Sequence, residues 1–208
     1  MSLATYNKKR NFKSTSEPRG KLAKEDELRF VVQRHHATNI HYDFRLEMHG
    51  VLLSWAVPKG PSLNGADRRL AMHVEDHPVS YINFEGTIPK GNYGAGTVEV
   101  WDHGRYIPLN EDGEPISEKL AYAMYKKGSL KVELKGRKLK GEFALVNMKK
   151  DDGKSWLLIK HKDKYAVTEQ YNAEEFSKNK RKEELATIKT TAKKQVKKKP
   201  ARKRTRTT

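Results

Sequence analysis

The stretch Ile40-His41-Tyr42-Asp43-Phe44-Arg45-Leu46-Glu47-Met48 reads as a β-strand with two different faces. Side chains alternate along a strand, so His41, Asp43 and Arg45 share one face while Tyr42, Phe44, Leu46 and Met48 share the other. The apolar face belongs against a core, and the polar face is a candidate site. Just upstream, Gln33-Arg34-His35-His36-Ala37-Thr38-Asn39 adds a second imidazole, His35, from which His36 alternates away. A guanidinium next to an imidazole and carboxylate group suggests a metal that shares its site with an anion, because the Arg fork matches phosphate or carboxylate oxygens in pairs.

Working outward, further short runs rich in β-branched or aromatic residues lie at 30–33, 51–57, 69–74, 96–101, 128–134, 140–148 and 155–161. Turn residues separate them, including Pro58-Lys59-Gly60-Pro61, Asn64-Gly65, Pro89-Lys90-Gly91-Asn92, Gly104, Asp112-Gly113 and Asp152-Gly153. Many short strands spaced this way predict a mainly β domain, a barrel or sandwich, and we expect a compact antiparallel β-barrel whose last two strands pair to close the sheet. Two peripheral helices are predicted. One covers 116–127, with Ser117 as cap and Gly128 as stop; the other covers 173–188 and leads into the tail. The glycines between 84 and 98 do not form a Gly-x-Gly-x-x-Gly opening a helix, and Gly153-Lys154-Ser155 lacks the first glycine of a P-loop, so neither predicts a nucleotide site.

The 208 residues suffice for one domain of about 150 residues with tails. We divide them into a polar, basic lead-in (1–25), the barrel (26–170) and a charged helix with a Lys/Arg-rich tail (171–208). The lead-in is expected to be ordered only by lying against the domain. Of the formal charge of +17, residues 178–208 carry 14 Lys or Arg against two Glu, which is +12, leaving +5 for the rest. This tail has too few large apolar residues to offset chain entropy, so it is expected to be a disordered arm that seeks polyphosphate. No apolar run approaches the ~20 residues of a spanning helix and no signal peptide opens the chain, which predicts no membrane attachment. With no cysteine, disulfides and thiolate metal sites are excluded. A cytoplasmic, nucleoid-associated location is expected.

His35, His41 and Asp43 offer two imidazoles and a carboxylate, a set that suits manganese sharing its site with phosphate and would also accept zinc. A second informative segment is Val74-Glu75-Asp76-His77-Pro78-Val79-Ser80-Tyr81. There His77 could protonate a leaving oxygen or stabilise transition-state charge, with Tyr81 on the same face if the register is helical and Arg69 upstream in a strand that could bring it close. The other histidines, His49, His73, His103 and His161, are read as ordinary side chains. Two further classes compete: a non-haem iron oxygenase using His41, Asp43 and a later His77 or His103, and a non-catalytic nucleic-acid-binding barrel. The basic tail argues against the oxygenase.

The run from Gln33 to Leu46 has the pattern His-x5-His-x-Asp-x-Arg. It is followed by Ser54-Trp55-Ala56-Val57-Pro58-Lys59-Gly60-Pro61, Glu75-Asp76-His77-Pro78, Phe84-Glu85-Gly86, Gly91-Asn92-Tyr93-Gly94-Ala95-Gly96 and Trp156-Leu157-Leu158-Ile159-Lys160. In this order the motifs resemble the 3′-phosphoesterase domain family of bacterial DNA ligase D, over residues 28–166. The resemblance implies a β-barrel enzyme that removes a 3′-phosphate or a terminal 3′-ribonucleotide from DNA or RNA-tipped DNA ends with manganese, leaving a 3′-hydroxyl. By the same resemblance His35, His41 and Asp43 match metal ligands, and Arg45 and His77 match phosphate-contacting residues. Tyr81, Gln33 and Arg69 match supporting positions, and Arg10 and Glu17 match residues that help the ribonucleotide-removing step. Asn11 stands where the family pattern has an acidic residue. The 208 residues contain no ligase or polymerase module, so a separate ligase or polymerase is the expected partner.

Overall fold

The computed structural model describes residues 3–22 and 28–177. By its internal contacts the chain divides into a unit Met1–Ala173 and a unit Glu174–Thr208. In the first, ten strands run β1 (Arg29–His36), β2 (Ile40–Met48), β3 (Val51–Val57), β4 (Arg69–His73), β5 (His77–Pro78), β6 (Gly86–Ile88), β7 (Gly96–Leu109), β8 (Ser129–Gly136), β9 (Lys140–Asn147) and β10 (Ser155–Lys160). Eight of them close a ring, β1-β2-β3-β4-β10-β9-β8-β7 and back to β1, every pair antiparallel. Closure leaves no open edge in the ring. β5 and β6 lie off it, paired to β3 and β7.

The apolar halves of the strands fill the barrel: Phe30, Val32, Phe44, Leu46, Leu53, Trp55, Val132, Leu134, Phe143, Leu145 and Leu158 are all buried there. A second, smaller apolar cluster forms from Leu3, Tyr6, Val31, Val51, Leu52, Tyr81 and Ile82. Val31 alternates with Phe30 and Val32, so this cluster lies on the outer wall of β1, where the lead-in packs. The helix α1 (Ala4–Lys8) and the 3-10 turn Val79–Asn83 contribute to it, and the Tyr6 hydroxyl donates to Pro18 O at 2.7 Å. The lead-in thus roofs the polar face of the first two strands.

The helix α2 (Glu118–Lys127) begins where Ser117 Oγ accepts from Leu120 N and stops at Gly128, whose φ of 94° is cheap only for glycine. β7 is longer than the expected 96–101, because Asp102-His103-Gly104 is strand rather than turn. Asp102 is buried and its carboxylate accepts from the backbone N–H of Arg137, Lys138 and Leu139 at 3.0, 3.1 and 2.7 Å, tying down the β8–β9 turn. Gly104 is there because a Cβ would collide with Lys135 O on the neighbouring strand. The helix expected over 173–188 starts as a 3-10 turn at Ala173–Phe176, with Ser177 N donating to Glu174 O three residues back. The remainder of that helix and the basic tail lie outside the described residues. Among the described residues no helix is long and apolar enough to cross a membrane.

Candidate metal centre

The antiparallel register of β1 and β2 sets His35 opposite His41, Gln33 opposite Asp43 and Val31 opposite Arg45. Directly opposed residues share a face, so the x5 spacing of the two histidines becomes a cross-strand pair and Asp43 falls two residues along the same face. The imidazole rings are 4.7 Å apart between centroids. Asp43 reaches both: Oδ2 is 3.7 Å from His35 Nδ1 and Oδ1 is 3.7 Å from His41 Nε2. One ligand atom from each residue lies within 4.8 Å of the others. His41 Nδ1 faces Asn39 O at 3.2 Å, which orients its Nε2 toward Asp43. His35 packs closely on Gly96, where a Cβ would come within 3.0 Å of Nε2, and that buried nitrogen has no hydrogen-bond partner among the described residues.

Two imidazoles and one carboxylate are a donor set that fits a divalent ion with coordination positions to spare. Burial alone would raise the Asp43 carboxyl, but the Arg45 guanidinium and the two imidazoles outweigh it and hold it well below the usual carboxylate range. Asp43 therefore stays ionised, as a ligand must.

Arg45 is 3 % exposed and held at three corners. Its Nη2 donates to Asp43 Oδ2 at 3.0 Å, Nε to Gln33 Oε1 at 2.8 Å and Nη1 to Ser54 Oγ at 2.8 Å. Gln33 is itself fixed, its amide donating to Tyr81 O and Phe84 O. The Tyr81 ring lies 5.1 Å beneath the guanidinium and 5.0 Å from the His77 ring. Of the five Arg45 N–H groups, two have no protein acceptor among the described residues, enough to grip two oxygens of an anion.

Opposite stands a second cation. Arg10, from the lead-in, donates to Glu17 Oε1 at 3.1 Å and Glu75 Oε1 at 2.8 Å, and its Nη2 lies 3.1 Å from His77 Nε2. The carbonyl of Glu75 is 2.9 Å from His77 Nδ1 and can only accept, so the Nδ1–H is the donor and Nε2 presents its lone pair to Arg10. Burial, followed by the charges of Arg45 and Arg10, pushes His77 well below the ordinary imidazole value, so the ring is neutral.

His35, His41, Asp43, Arg45, His77, Tyr81, Arg10 and Glu17 all line one cavity of about 230 Å³, together with Glu75, Tyr93, Val74, Ile88 and Gly94. Gln33 stands behind it as the brace of Arg45. Arg69 is elsewhere: it donates to Asp67 Oδ2 and Tyr171 O, both at 2.7 Å, and is not part of the cavity wall. β4 meets β3 through Met72 and His73, so the far end of that strand reaches the cavity and Arg69 stays at the near end. Among the described residues His103 is exposed and outside the cluster, and His77 also stands outside it, so the third residue of the cluster is His35. Glu75 and Ser54 were not singled out from sequence. A lone serine inside the apolar run 51–57 was the available signal for Ser54, and the Glu75-x-His77 spacing for Glu75.

The family model of the DNA Ligase D 3′-phosphoesterase domain matches residues 33–147. The multifunctional non-homologous end joining protein LigD of Pseudomonas aeruginosa is 47% identical over 165 residues, covering 77% of this chain and 19% of that protein. The LigD proteins of Mycolicibacterium smegmatis and Mycobacterium tuberculosis are 42% and 41% identical over 163 and 157 residues, covering 77% and 74% of this chain. The chain spans about a fifth of the length of these curated relatives. With a model of that domain matched across more than half of its residues and the motif residues gathered in one cavity, the chain belongs to the DNA ligase D 3′-phosphoesterase domain family.

Proposed function

We propose that this chain is a manganese-dependent phosphoesterase that removes 3′-phosphate, and a terminal 3′-ribonucleotide, from DNA or RNA-tipped DNA ends to leave a 3′-hydroxyl for repair. The observation that carries the reading is the sharing of one cavity by the cluster of His35, His41 and Asp43 and two arginines, Arg45 with two N–H groups free of protein acceptors among the described residues and Arg10. At about 230 Å³ the cavity is below the ~300–1,000 Å³ of pockets that enclose a whole small molecule. It suits a phosphate and part of its sugar, which favours a chain end over an internal linkage.

A divalent ion held by His35, His41 and Asp43 supplies Lewis-acid neutralisation of the phosphate charge. Arg45, pre-set by Gln33, Ser54 and Asp43, grips two phosphoryl oxygens without reorganising, and Arg10 approaches from the lead-in side. Water forms the new P–O bond, its proton passing to an oxygen of the departing phosphate, while the bond from phosphorus to the 3′ oxygen breaks. A phosphate that takes over the Arg10 Nη2 N–H frees the His77 Nε2 lone pair, and its negative charge favours protonation there, from which the proton passes to the leaving 3′ oxygen. Tyr81 forms the floor and keeps water off Arg45. Asn11 does not line the cavity; its side chain accepts from Lys13 N at 3.2 Å. A separate ligase or polymerase, acting on the 3′-hydroxyl product in the cytoplasm next to the nucleoid, completes the proposed setting.

The test is a substrate panel: one oligonucleotide ended in 3′-phosphate, in a 3′-ribonucleotide and in 3′-hydroxyl, each with manganese and with chelator. Metal-dependent conversion of the first two to the third is expected. Unchanged ends with manganese at any enzyme concentration would refute the activity.

A further inference from the structure

On the side of the barrel where α2 ends, an open groove of about 600 Å³ is lined by Lys126, Lys127, Lys149, Lys150, Tyr125 and Trp156, among others. All four lysines are exposed, and among the described residues none is ion-paired to a carboxylate. Asp152 is the single acidic residue among the groove's described lining, so these side chains leave a net +3. Lysines 126 and 127 complement the negative end of α2, an ordinary reason for their presence. Lys149 and Lys150 have no such reason, because they lie on the β9–β10 turn.

That turn is held in place. Asn147 donates to Gly153 O at 2.7 Å and accepts from Lys149 N at 2.6 Å, and Trp156 Nε1 donates to Gly153 O at 2.9 Å. Across the groove floor Tyr125 stacks on Trp156, with centroids 5.5 Å apart, and its hydroxyl lies 2.9 Å from His73 Nε2. His73 stands behind that floor, and the next two residues along the chain, Val74 and Glu75, line the metal cavity, so the groove and the cavity meet through the end of one strand.

From this placement we propose that the Lys126/Lys127/Lys149/Lys150 groove is a docking surface for the phosphate backbone of the duplex nucleic acid whose 3′ end occupies the cavity. The occupant follows from charge and spacing. A polyanion with a regular charge spacing matches four ammonium groups that no carboxylate among the described residues pairs with. The inference rests on the 3′-end reading for its substrate, but its observable is binding.

The experiment measures duplex affinity of the full chain by fluorescence anisotropy across a salt series, using a 12-base-pair duplex with one 3′-phosphate. Wild type is compared with Lys126→Gln/Lys149→Gln/Lys150→Gln and with a charge-matched control, Lys119→Gln/Lys140→Gln/Lys162→Gln. Each lost phosphate contact lowers the log-log salt slope by about 0.9, so the groove variant is expected to lose up to ~2.7 and the control less than ~0.9. On a short single-stranded 3′-phosphorylated oligonucleotide at saturation, the groove variant is expected to keep wild-type kcat. An unchanged slope, or an equal loss in the control, would overturn the docking surface. If wild type fails to release phosphate from the short oligonucleotide while the slope difference persists, the catalytic reading fails and the groove stands.

Discussion

Replacing Asp43 by Ala removes a proposed metal ligand, and the structure adds a second consequence, a loss of stability. Arg45 is 3 % exposed, and Asp43 is the one carboxylate among the described residues at ion-pair distance from it. Without Asp43 a buried cation is left with two neutral partners, Gln33 and Ser54. Breaking a buried pair from one side costs about 3–5 kcal/mol, and because the cavity opens to water we take the low end, about 3 kcal/mol. At roughly 2–4 °C per kcal/mol for a chain of this size, Tm falls by about 6–12 °C in metal-free buffer. Adding Arg45→Met removes the stranded charge, about 3 kcal/mol, but leaves Gln33 and Ser54 each without a partner worth about 1 kcal/mol, so about a third of the loss is recovered. Differential scanning calorimetry with chelator, on wild type, Asp43→Ala, Arg45→Met and the double variant, closes the thermodynamic cycle. A single variant within about 2 °C of wild type, or a double variant no more stable than Asp43→Ala, would refute the reasoning.

His41, with a side chain 24 % exposed and no arginine depending on it, should behave differently: His41→Ala is expected to keep Tm within about 2 °C while abolishing turnover, checked by calorimetry with a 3′-phosphate assay. Because His77 is held below its ordinary value, the unfolded chain takes up a proton below pH ~6.5 that the folded chain refuses. Stability is therefore full above pH ~6.5 and falls by about 1.4 kcal/mol per pH unit as pH drops through the window beneath it. His73, also depressed, first by burial, acts in the same direction. Urea midpoints of wild type and His77→Gln at pH 6.5 and 5.5 check this, the variant being expected to show the shallower fall. Deleting residues 178–208, which carry 14 of the 43 basic side chains, should weaken duplex binding and flatten its salt slope while leaving kcat on a short oligonucleotide intact.

The two-faced strand 40–48 was the legible part of this fold, because period-two alternation reports directly on what each face meets. The register that sets His35 against His41 followed once the β1–β2 pair formed, and sequence spacing alone picked out the three residues that cluster there. The polar face, however, is roofed, and that depends on Leu3 and Tyr6 finding Val31 and Tyr81 across the outer wall, a long-range packing event without local periodicity. Arg10 and Glu17 entered through family resemblance alone, since nothing local marks an arginine seven residues from a glutamate as a buried pair. β5 and β6, of two and three residues, are too short to carry a pattern. Asp102 and Gly104 look like turn chemistry because their roles, a buried acceptor and a close strand contact, use the residue types that turns also use.

The measurement that tests the central claim most directly is a manganese titration of metal-free protein with binding and 3′-phosphate release followed in the same samples. The account predicts one ion per chain, turnover rising in proportion to its occupancy, and loss of both in His41→Ala with the fold retained. Turnover at full rate without a bound ion, or normal one-ion binding in His41→Ala, would contradict it.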